Sequence, residues 1–556
     1  MITALAQTQL VHLSGVDLAI IIFYFALVLA IGFYLRGRAN TGEDFFMAGR
    51  EMTAWVAGLS FLSANLGALE LMGWAGSAYQ YGILATHWYW IGAIPAMLFL
   101  ALVMMPFYYI SKTHSVPGYL KLRFGESSRA LSAVSFAFMT VLMSGVNMFA
   151  MAKVMQIVLG WPLSFSIWIS SLTVAIYVAL GGLRSAIFNE VLQFFLIWAG
   201  ALLIPILGLY EAGGWAHLKV LITQRASAEY VHLWSGLGSF GTNPMGINWV
   251  GIVFGLGAII SMGYWTTDFL VVQRILAAKD MRSAQLAPII GAAFKMFVPI
   301  IVILPGLLGL ALLPMKLTGE SNALLTGGHS YNDVLPLMLA RYCGPGLLGL
   351  GVTALIAGFM SGMAGNVSAF TTVWTYDIYR ALINKKASDA HYVSMGRWTT
   401  VIGVLISVGT AYLVMHSASI MDYVQALFSF FIAPLFGTVI LGIISGNAVI
   451  DRHVGLGESG SNGAAVRGAV VTRETDGAGH VPGAVGVCDL RGGYGGGQPG
   501  DEAEAGCRTG GPGVRFDADS LAKGNCIVST ADFLGRRGDR GICKPEHYFL
   551  VGGGEQ

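Results

Sequence analysis

Residues 54–81 read AWVAGLSFLSANLGALELMGWAGSAYQY, an apolar stretch with Asn65, Gly67 and Glu70 in its middle. The stretch exceeds the ~20 residues that a helix needs to cross a bilayer. In hydrocarbon, a polar group without a partner costs several kcal/mol, so these residues do not suit a lipid-facing helix. The pattern predicts a helix that is interrupted at residues 63–67, whose freed carbonyls and Asn65 line a polar cavity. The alternative is a continuous helix with a glycine-rich packing face, in which Glu70 pairs with a neighbour.

Composition indicates a polytopic membrane protein in contact with the lipid bilayer. The chain has 556 residues, of which 55% are hydrophobic and 11% charged, against about 25% charged in soluble domains. A net charge of +2 gives no reason to expect a nucleic-acid partner. The first 35 residues contain no Lys or Arg, so the positive region of a cleavable signal is missing and we expect a retained first span.

Eleven apolar segments predict eleven membrane spans. The predicted inner loops hold fifteen Lys and Arg residues and the outer loops four, which places the N-terminus outside and the C-terminal tail in the cytoplasm of a cell-membrane protein. The predicted segments are 17–35, 53–79, 84–110, 130–158, 162–181, 185–210, 249–275, 284–313, 345–381, 397–416 and 419–446.

An internal repeat organises these segments. Segment seven begins GIVFGLGAIISMGYWTTDFLVVQR, where Gly263, Thr266, Thr267 and Asp268 interrupt the apolar run as Asn65 does in segment two. Interrupted helices at matching places in two inverted halves are typical of a transporter with a site near the midplane. The predicted divisions are 1–52 with the extra helix, 53–210 as the first five-helix repeat, 211–248 as an outer loop, 249–446 as the second repeat, and 447–556 as a tail.

Several motifs carry a family resemblance. The chain resembles the sodium:solute symporter family, nearest its sodium/glucose and sodium/galactose branch, over about residues 17–446. The resemblance implies an all-α membrane protein with an inverted-repeat (5+5) core, one extra N-terminal helix, and broken first and sixth core helices. The motifs are DFFMAGREMTAWVAGLSFLSANLGA (44–68), GGLRSAIFNEVLQFF (181–195), YWTTDFLVVQRILAAKDMRSAQ (264–285), FKMFVPIIVILPG (294–306) and TYDIYRALI (375–383).

The resemblance implies a sodium site between the first broken helix and the eighth core helix. By position, carbonyls of Ser63, Leu66 and Gly358 and hydroxyls at positions 361 and 362 would hold the ion. Ser361 supplies the first hydroxyl, but Gly362 has none. The set then falls from five oxygens to four unless water, Asn65 or a nearby carboxylate completes it, and Gly362→Ser is expected to improve a weak sodium affinity.

Two features of this region have an alternative explanation that is purely structural. Small residues at 361–365 also suit close packing of helices. Glu190 resembles an acid that the family places on the ion's path to the cytoplasm, but it could instead form a salt bridge with Arg184.

Candidate substrate contacts lie on several segments. Lys295 matches the sugar branch directly and lies about twelve residues into its segment, too deep for easy snorkelling. Glu70 stands where the branch has an amide, and Tyr89 stands where it has an acid. We expect Glu70 and Lys295 to form an ion pair, because the pair would satisfy both buried charges. Ser261 replaces an amide, and Tyr264 keeps an aromatic residue that caps the sugar. The full set is Glu70, Trp88, Tyr89, Ser261, Tyr264, Lys295 and Asp422.

These features predict a secondary transporter that imports a small polar organic solute together with sodium, and they favour a sugar-like solute. The alternatives are uptake of a small carboxylate or amino acid with protons or sodium, and a solute sensor on the same fold. No catalytic constellation indicates an enzyme. We expect a monomer or a weak homo-oligomer.

The composition changes after residue 446. Residues 451–556 hold 26 of the 74 Gly and four of the five Cys, but none of the Trp or Met. A segment so rich in glycine cannot build an apolar core, which predicts disorder. The composition favours a reading frame translated out of phase over a regulatory cytoplasmic tail, and a frame damaged in this way could also yield an inactive product.

We predict that a chain cut after Ile450 keeps the membrane insertion and helical content of the eleven spans. The reason is that the tail offers little apolar surface to pack on them. Circular dichroism and solute binding of the purified truncated protein check this. Loss of solute binding from a truncated chain that is still folded would make the tail a functional domain.

Overall fold

The structure is a computed structural model that describes residues 13–37, 41–234, 236–239, 241–314, 316–317, 329–414, 420–444, 466–473 and 483–490. The chain divides into two units, Met1–Leu441 and Gly442–Gln556. The described part of the first unit is helical.

The helices follow one another with short connections. The α-helices are Gly15–Arg36, Gly42–Met47, Ala54–Asn65, Ala68–Tyr81, Ile94–Phe99, Met105–Ile110, Val116–Phe124, Glu126–Leu159, Leu163–Ala201, Leu203–Glu211, Trp215–Arg225, Met262–Thr267, Phe269–Leu276, Met281–Lys295, Val298–Leu312, Val334–Tyr342, Leu347–Val373, Asp389–Val414 and Ile420–Ile444. Segments of π-helix are Trp88–Ala93, Leu100–Met104, Gly251–Ser261 and Trp374–Ile383. The 3-10 turns are Ala48–Arg50, Gly82–Thr86, Ala228–Val231 and Tyr331–Asp333.

Within the described residues, eight helices are long and apolar enough to cross a membrane, or ten when two bent pairs are each taken as one span. One of the eight, Leu163–Glu211, has 49 residues. At ~1.5 Å per residue it is more than twice as long as the ~30 Å hydrocarbon core. Gly182 interrupts it with φ 57° and ψ −153°, a backbone conformation outside the helical region. When it is divided there, the described residues hold eleven apolar segments, which is the number that hydropathy predicts.

The two bent pairs are the interrupted helices that the sequence predicts. The first broken span joins Ala54–Asn65 to Ala68–Thr86 with a bend of 56°, and the second joins Gly251–Thr267 to Phe269–Leu276 with a bend of 49°. A continuous helix through residues 54–81 is therefore wrong. The pairing of the spans into two inverted five-helix repeats stays a prediction.

The helix Leu347–Val373 lies at the centre of the bundle, and almost all its residues are buried. Asp17 of the first helix anchors its start by accepting hydrogen bonds from the amides of Gly346 (2.7 Å) and Gly349 (2.6 Å). Glycines along it allow neighbouring backbones to approach closely. A Cβ built on Gly358 would lie 3.0 Å from the Leu66 carbonyl oxygen. The close packing that small residues allow is therefore observed.

A buried parallel β-bridge between Met52 and Ala278 links the two broken spans. The amide of Met52, just before the first broken span, donates to the carbonyl of Ala277 (3.0 Å), and Lys279 donates back to Met52 (2.9 Å). These bonds join the start of one broken span to the end of the other.

The second unit contains two antiparallel strands, β1 (Val466–Arg473) and β2 (Gly483–Leu490), with Val466 opposite Leu490. The remainder of the tail for which disorder or a shifted reading frame is predicted lies outside the described residues.

We predict that Gly182→Ala destabilises the protein by about 1–3 kcal/mol, the usual cost of a strained backbone conformation. A Cβ on Gly182 would also lie 2.5 Å from the Phe45 carbonyl oxygen. Thermal melting of the purified protein in detergent checks this. The control is Gly409→Ala, because Gly409 is helical and has nothing within 4 Å of a built Cβ. Equal melting temperatures for the two variants would contradict the prediction.

Candidate solute and sodium site

A cavity that is partly open to solvent lies where the two helix breaks meet. Its walls combine polar groups with aromatic rings, which is the usual make-up of a small-molecule site. The polar side chains are Asn65, Glu70, Tyr89, Asn147, Ser261, Tyr264, Asp268, Lys295, Asn366 and Gln425, and the larger aromatic ones are Trp74, Trp88, Trp265 and Phe428.

The predicted pair of Glu70 and Lys295 is present in the cavity wall. The Lys295 Nζ donates to Glu70 Oε1 at 2.7 Å, and the side chains are 2% and 12% exposed, respectively. The Tyr89 hydroxyl donates to the same carboxylate oxygen at 2.8 Å, and Trp74 Nε1 donates to Oε2 at 3.0 Å. Both oxygens of the carboxylate are therefore hydrogen-bonded, as a buried charge requires.

The Lys295 ammonium is held by further groups around it. It donates to Asn65 Oδ1, while Asn65 Nδ2 donates to the Tyr264 hydroxyl at 2.9 Å. Its Nζ lies 4.9 Å from the centre of the Tyr89 ring and 5.3 Å from that of Trp265. These contacts place a desolvated cation against aromatic faces, which stabilises it.

Three other predicted contacts also line the cavity. Trp88 packs on Trp74 with ring centres 5.1 Å apart, and Tyr264 packs on Phe428 at 4.9 Å. Ser261 lines the wall beside them. The structure therefore brings six of the seven candidate substrate contacts together.

Asp422 is the seventh candidate, and the structure does not place it in the cavity wall. Its side chain is exposed and interacts with Tyr81. One turn further along the same helix, Gln425 lines the cavity. Gln425 is therefore the polar side chain of this helix that lines the cavity. Asp422 as a substrate contact stays a prediction.

The break in the first span also releases backbone carbonyls from the helical hydrogen-bond pattern. The Gly67 amide donates to the Asn65 carbonyl (2.8 Å), so Ser63 loses the amide that a continuous helix would give its carbonyl. The helix beyond the break starts after Gly67, which leaves the Leu66 carbonyl outside the hydrogen-bond ladders of both halves. Two carbonyls are thereby released next to each other.

The predicted partners of these carbonyls lie directly opposite on the central helix. Ser361 Oγ and Ser63 Oγ are 2.9 Å apart, and both residues are fully buried. Gly358 faces the Leu66 carbonyl, and a Cβ on Gly362 would lie 3.0 Å from Gly67 Cα. Neutral hydroxyl and carbonyl oxygens are the ligands that transporters use for sodium, so these residues fit the ion.

Glu190 is fully buried, but its partner is not the one weighed from sequence. Arg274 donates two hydrogen bonds to the Glu190 carboxylate, from Nη2 at 2.7 Å and from Nε at 3.2 Å. The Ser60 hydroxyl donates to the same carboxylate. The expected salt bridge to Arg184 is wrong, because Arg184 pairs with Glu51 instead. Ser60 lies one turn before Ser63 on the same helix, so this buried cluster lies next to the residues predicted to hold sodium.

Some residues of the cavity were not found from the sequence. Trp74 could have been, since it lies four residues after Glu70 and so on the same helix face. Asn147 had a weaker signal as an amide within the apolar helix Glu126–Leu159. Trp265, Asn366 and Gln425 gave no signal that separates a cavity-lining side chain from a packed one.

Multiple helical spans, two of them broken where they meet a polar cavity, are typical of a secondary transporter. A family model gives this class its name. The match covers residues 45–448, and the chain belongs to the sodium:solute symporter family.

Similar proteins and one solved structure are also sodium-coupled transporters. The chain is 28% identical over 453 residues to sodium/glucose cotransporter 4 of Danio rerio, covering 78% of this chain and 68% of that protein. It is 29% identical over 467 residues to a sodium/mannose cotransporter of Bos taurus, covering 79% and 76%. A substrate-bound, outward-open Na⁺-coupled sialic acid symporter superposes with a TM-score of 0.65 at 22% identity, covering 78% of this chain and 87% of that one.

Family membership makes the protein a multi-pass, sodium-coupled solute symporter and not an enzyme. It also confirms the resemblance seen in the sequence motifs and the all-helical transporter fold.

We predict that Glu70→Gln and Lys295→Met each destabilise the protein, because each leaves its buried partner uncompensated at a cost of about 3–5 kcal/mol. The double variant should recover stability but not transport. Melting temperatures of the four proteins in a double-mutant cycle check this. Additive losses would show that the two side chains do not interact, despite their 2.7 Å separation.

Proposed function

We propose that this symporter imports a neutral polyhydroxylated solute, such as a sugar, into the cell together with sodium. The observation that carries the proposal is the closed ion pair between Glu70 and Lys295 in the wall of the cavity.

The charge of the cavity favours a neutral solute. Glu70 and Lys295 compensate each other at 2.7 Å, so a neutral guest can bind without leaving either charge unpaired. A carboxylate accepts hydrogen bonds from solute hydroxyls, and an ammonium donates to them. Asn65, Asn366 and Gln425 add groups that both donate and accept. A solute rich in hydroxyls can satisfy such a wall at many points.

The aromatic residues favour a ring-shaped guest with apolar faces. Trp74, Trp88 and Tyr89 form one cluster with ring centres 5.1 Å and 5.7 Å apart, and Tyr264 with Phe428 forms another. Aromatic rings pack well on the C–H faces of a sugar while the hydroxyls reach polar groups at its edge. The relatives named for glucose and mannose support this class of solute.

Sodium has a separate role on the other side of the same helix break. We propose that carbonyls of Ser63, Leu66 and Gly358 and the hydroxyl of Ser361 hold the ion. The ion would bring the first broken span and the central helix together, which shapes the cavity for the solute. Release to the cytoplasm then requires the buried cluster around Glu190 to open. The bundle would alternate between outward and inward access by rocking of the repeats.

A second candidate is symport of a small carboxylate or amino acid. The Lys295 ammonium and the start of the half-helix Ala68–Tyr81 both favour an anion. That solute would need Glu70 to give up its bond to Lys295, so it would bind against the existing ion pair. If protons replace sodium in coupling, Glu70 or Asp268 is the group that would carry them.

The orientation and location follow the distribution of basic residues. We propose a cell-membrane protein with its N-terminus outside and its tail in the cytoplasm, active as a monomer or a weak homo-oligomer.

The test is counterflow and gradient-driven uptake in proteoliposomes with a panel of radiolabelled sugars, myo-inositol, amino acids and small carboxylates. We predict that at least one neutral polyhydroxylated solute accumulates when an inward sodium gradient is imposed. Uptake that follows a proton gradient and ignores sodium would contradict the coupling. Uptake of carboxylates alone would contradict the solute class. Lys295→Met is assayed in the same way and should not transport. Its control is Lys153→Met, which removes another buried lysine, one that pairs with Asp333 away from this cavity.

A further inference from the structure

The sodium site proposed above has four protein oxygens, because position 362 carries a glycine where a second hydroxyl is expected. Water, Asn65 or a nearby carboxylate are the sources that the sequence leaves open. The structure narrows this choice among the side chains that surround the break.

The side chains considered first already have other partners. Asn65 uses its oxygen for Lys295 and its amide nitrogen for Tyr264. Both oxygens of Glu70 accept hydrogen bonds within the cavity wall. Asp268 caps the second broken span by accepting from the Leu270 amide at 2.9 Å. Recruiting Asn65 or Glu70 to the ion would compete with the contacts that hold Lys295 in the cavity wall, and Asp268 belongs to the other broken span.

Asn147 lies nearer to the missing hydroxyl than any of these. It comes from the helix Glu126–Leu159 and is 4% exposed. Its Oδ1 is 3.2 Å from the position that a Cβ on Gly362 would occupy, and 2.7 Å from the same position on Gly67. The amide oxygen therefore occupies the space that a serine side chain at position 362 would need.

The hydrogen bonds of Asn147 leave this oxygen able to bind an ion. Its Nδ2 donates to the Met143 carbonyl at 3.3 Å, which orients Oδ1 toward the break. Oδ1 accepts from the Leu69 amide only at 3.5 Å, longer than an ordinary N–H···O bond. An amide oxygen is also chemically like the backbone carbonyls of the proposed site.

We propose that Asn147 Oδ1 is the fifth protein ligand of the sodium ion and replaces the hydroxyl that Gly362 lacks. This inference rests on the proposed sodium site at Ser63, Leu66, Gly358 and Ser361. It adds a third helix to that site, so the ion would join the first broken span, the central helix and Glu126–Leu159.

The inference changes what is expected of Gly362→Ser. The added Cβ would lie 3.0 Å from Gly67 Cα and 3.2 Å from Asn147 Oδ1, so the new hydroxyl competes with the asparagine for one place. The single substitution should therefore bring no gain in sodium affinity. The gain expected from sequence should appear only when Asn147 is shortened.

The experiment measures sodium binding to the purified full chain in detergent, without solute, by titration calorimetry and by sodium-dependent thermal stabilisation. We predict that Asn147→Ala weakens sodium binding about tenfold, the size of one hydrogen-bond-like contact to a charge. Asn147→Asp keeps the oxygen but loses the amide donor, so it should bind sodium at least as tightly as the parent. Asn147→Ala combined with Gly362→Ser should recover most of the loss.

Two further variants separate the possible outcomes. Thr140→Val is the control. Thr140 lies two turns earlier on the same helix, and its hydroxyl donates to the Phe136 carbonyl of that helix (2.7 Å). Ser361→Ala tests the proposed site by itself. If Ser361→Ala weakens binding and Asn147→Ala does not, the proposed site stands and the role of Asn147 is overturned. If neither variant weakens binding, the proposed site and the inference both fail.

A structural role of Asn147 would give a different pattern. If Asn147→Ala and Asn147→Asp weaken sodium binding equally, the amide donor to Met143 matters and not the oxygen, which overturns the inference. If Asn147→Ala does not fold, Asn147→Asp still decides between the two roles: sodium binding as tight as in the parent supports the oxygen as a ligand, and weakened binding overturns the inference.

Discussion

The interruption of the first broken span between residues 63 and 67 is the constraint on which the rest of the site depends. In the hydrocarbon region a break in a helix is tolerated only where its backbone groups find partners or line a polar cavity. Here the Gly67 amide turns back to Asn65, and Asn147 reaches the start of the next half-helix. The central helix approaches through its glycines and faces the released carbonyls. Three helices are therefore arranged around one short stretch of unwound backbone.

The same unwound stretch presents different chemistry on its two sides. Ser63 and Leu66 lie against Ser361 and Gly358 of the central helix, and their oxygens suit a cation. The side chains of Asn65 and Glu70 face Lys295 and the aromatic wall and suit a neutral solute. Because both sets of groups belong to one backbone segment, ordering of one side fixes the geometry of the other. A coupling free energy of about 1–3 kcal/mol between the two ligands would be ordinary for such an arrangement.

The two broken spans could be predicted from the sequence because polar groups are costly in hydrocarbon, and the pairing of Glu70 with Lys295 because the family resemblance also implies that both line one site. An acid and a lysine in predicted membrane segments need partners, and the shared site offers one. The partner of Glu190 could not be predicted in this way. Arg184 is near in sequence, whereas Arg274 lies 84 residues away and is brought close only by the packing of the second broken span.

The sequence also could not show which residues of a helix face the cavity. Asp422 and Gln425 are one turn apart on the helix Ile420–Ile444, and only the packed structure shows that Gln425 lines the cavity. The role of Asn147 likewise depends on a distance to Gly362 across two helices. Local patterns thus locate the break in the chain, while tertiary packing decides which side chains surround it.

The central claim is that sodium and solute bind on two sides of one helix break and are coupled through it. Titration calorimetry of the purified protein with a transported solute, at sodium concentrations from near zero to saturation, tests this most directly. The account predicts that solute affinity rises with sodium and that the solute raises sodium affinity by the same factor, as linkage requires. A solute affinity that is independent of sodium, in a protein that binds both, would contradict the account.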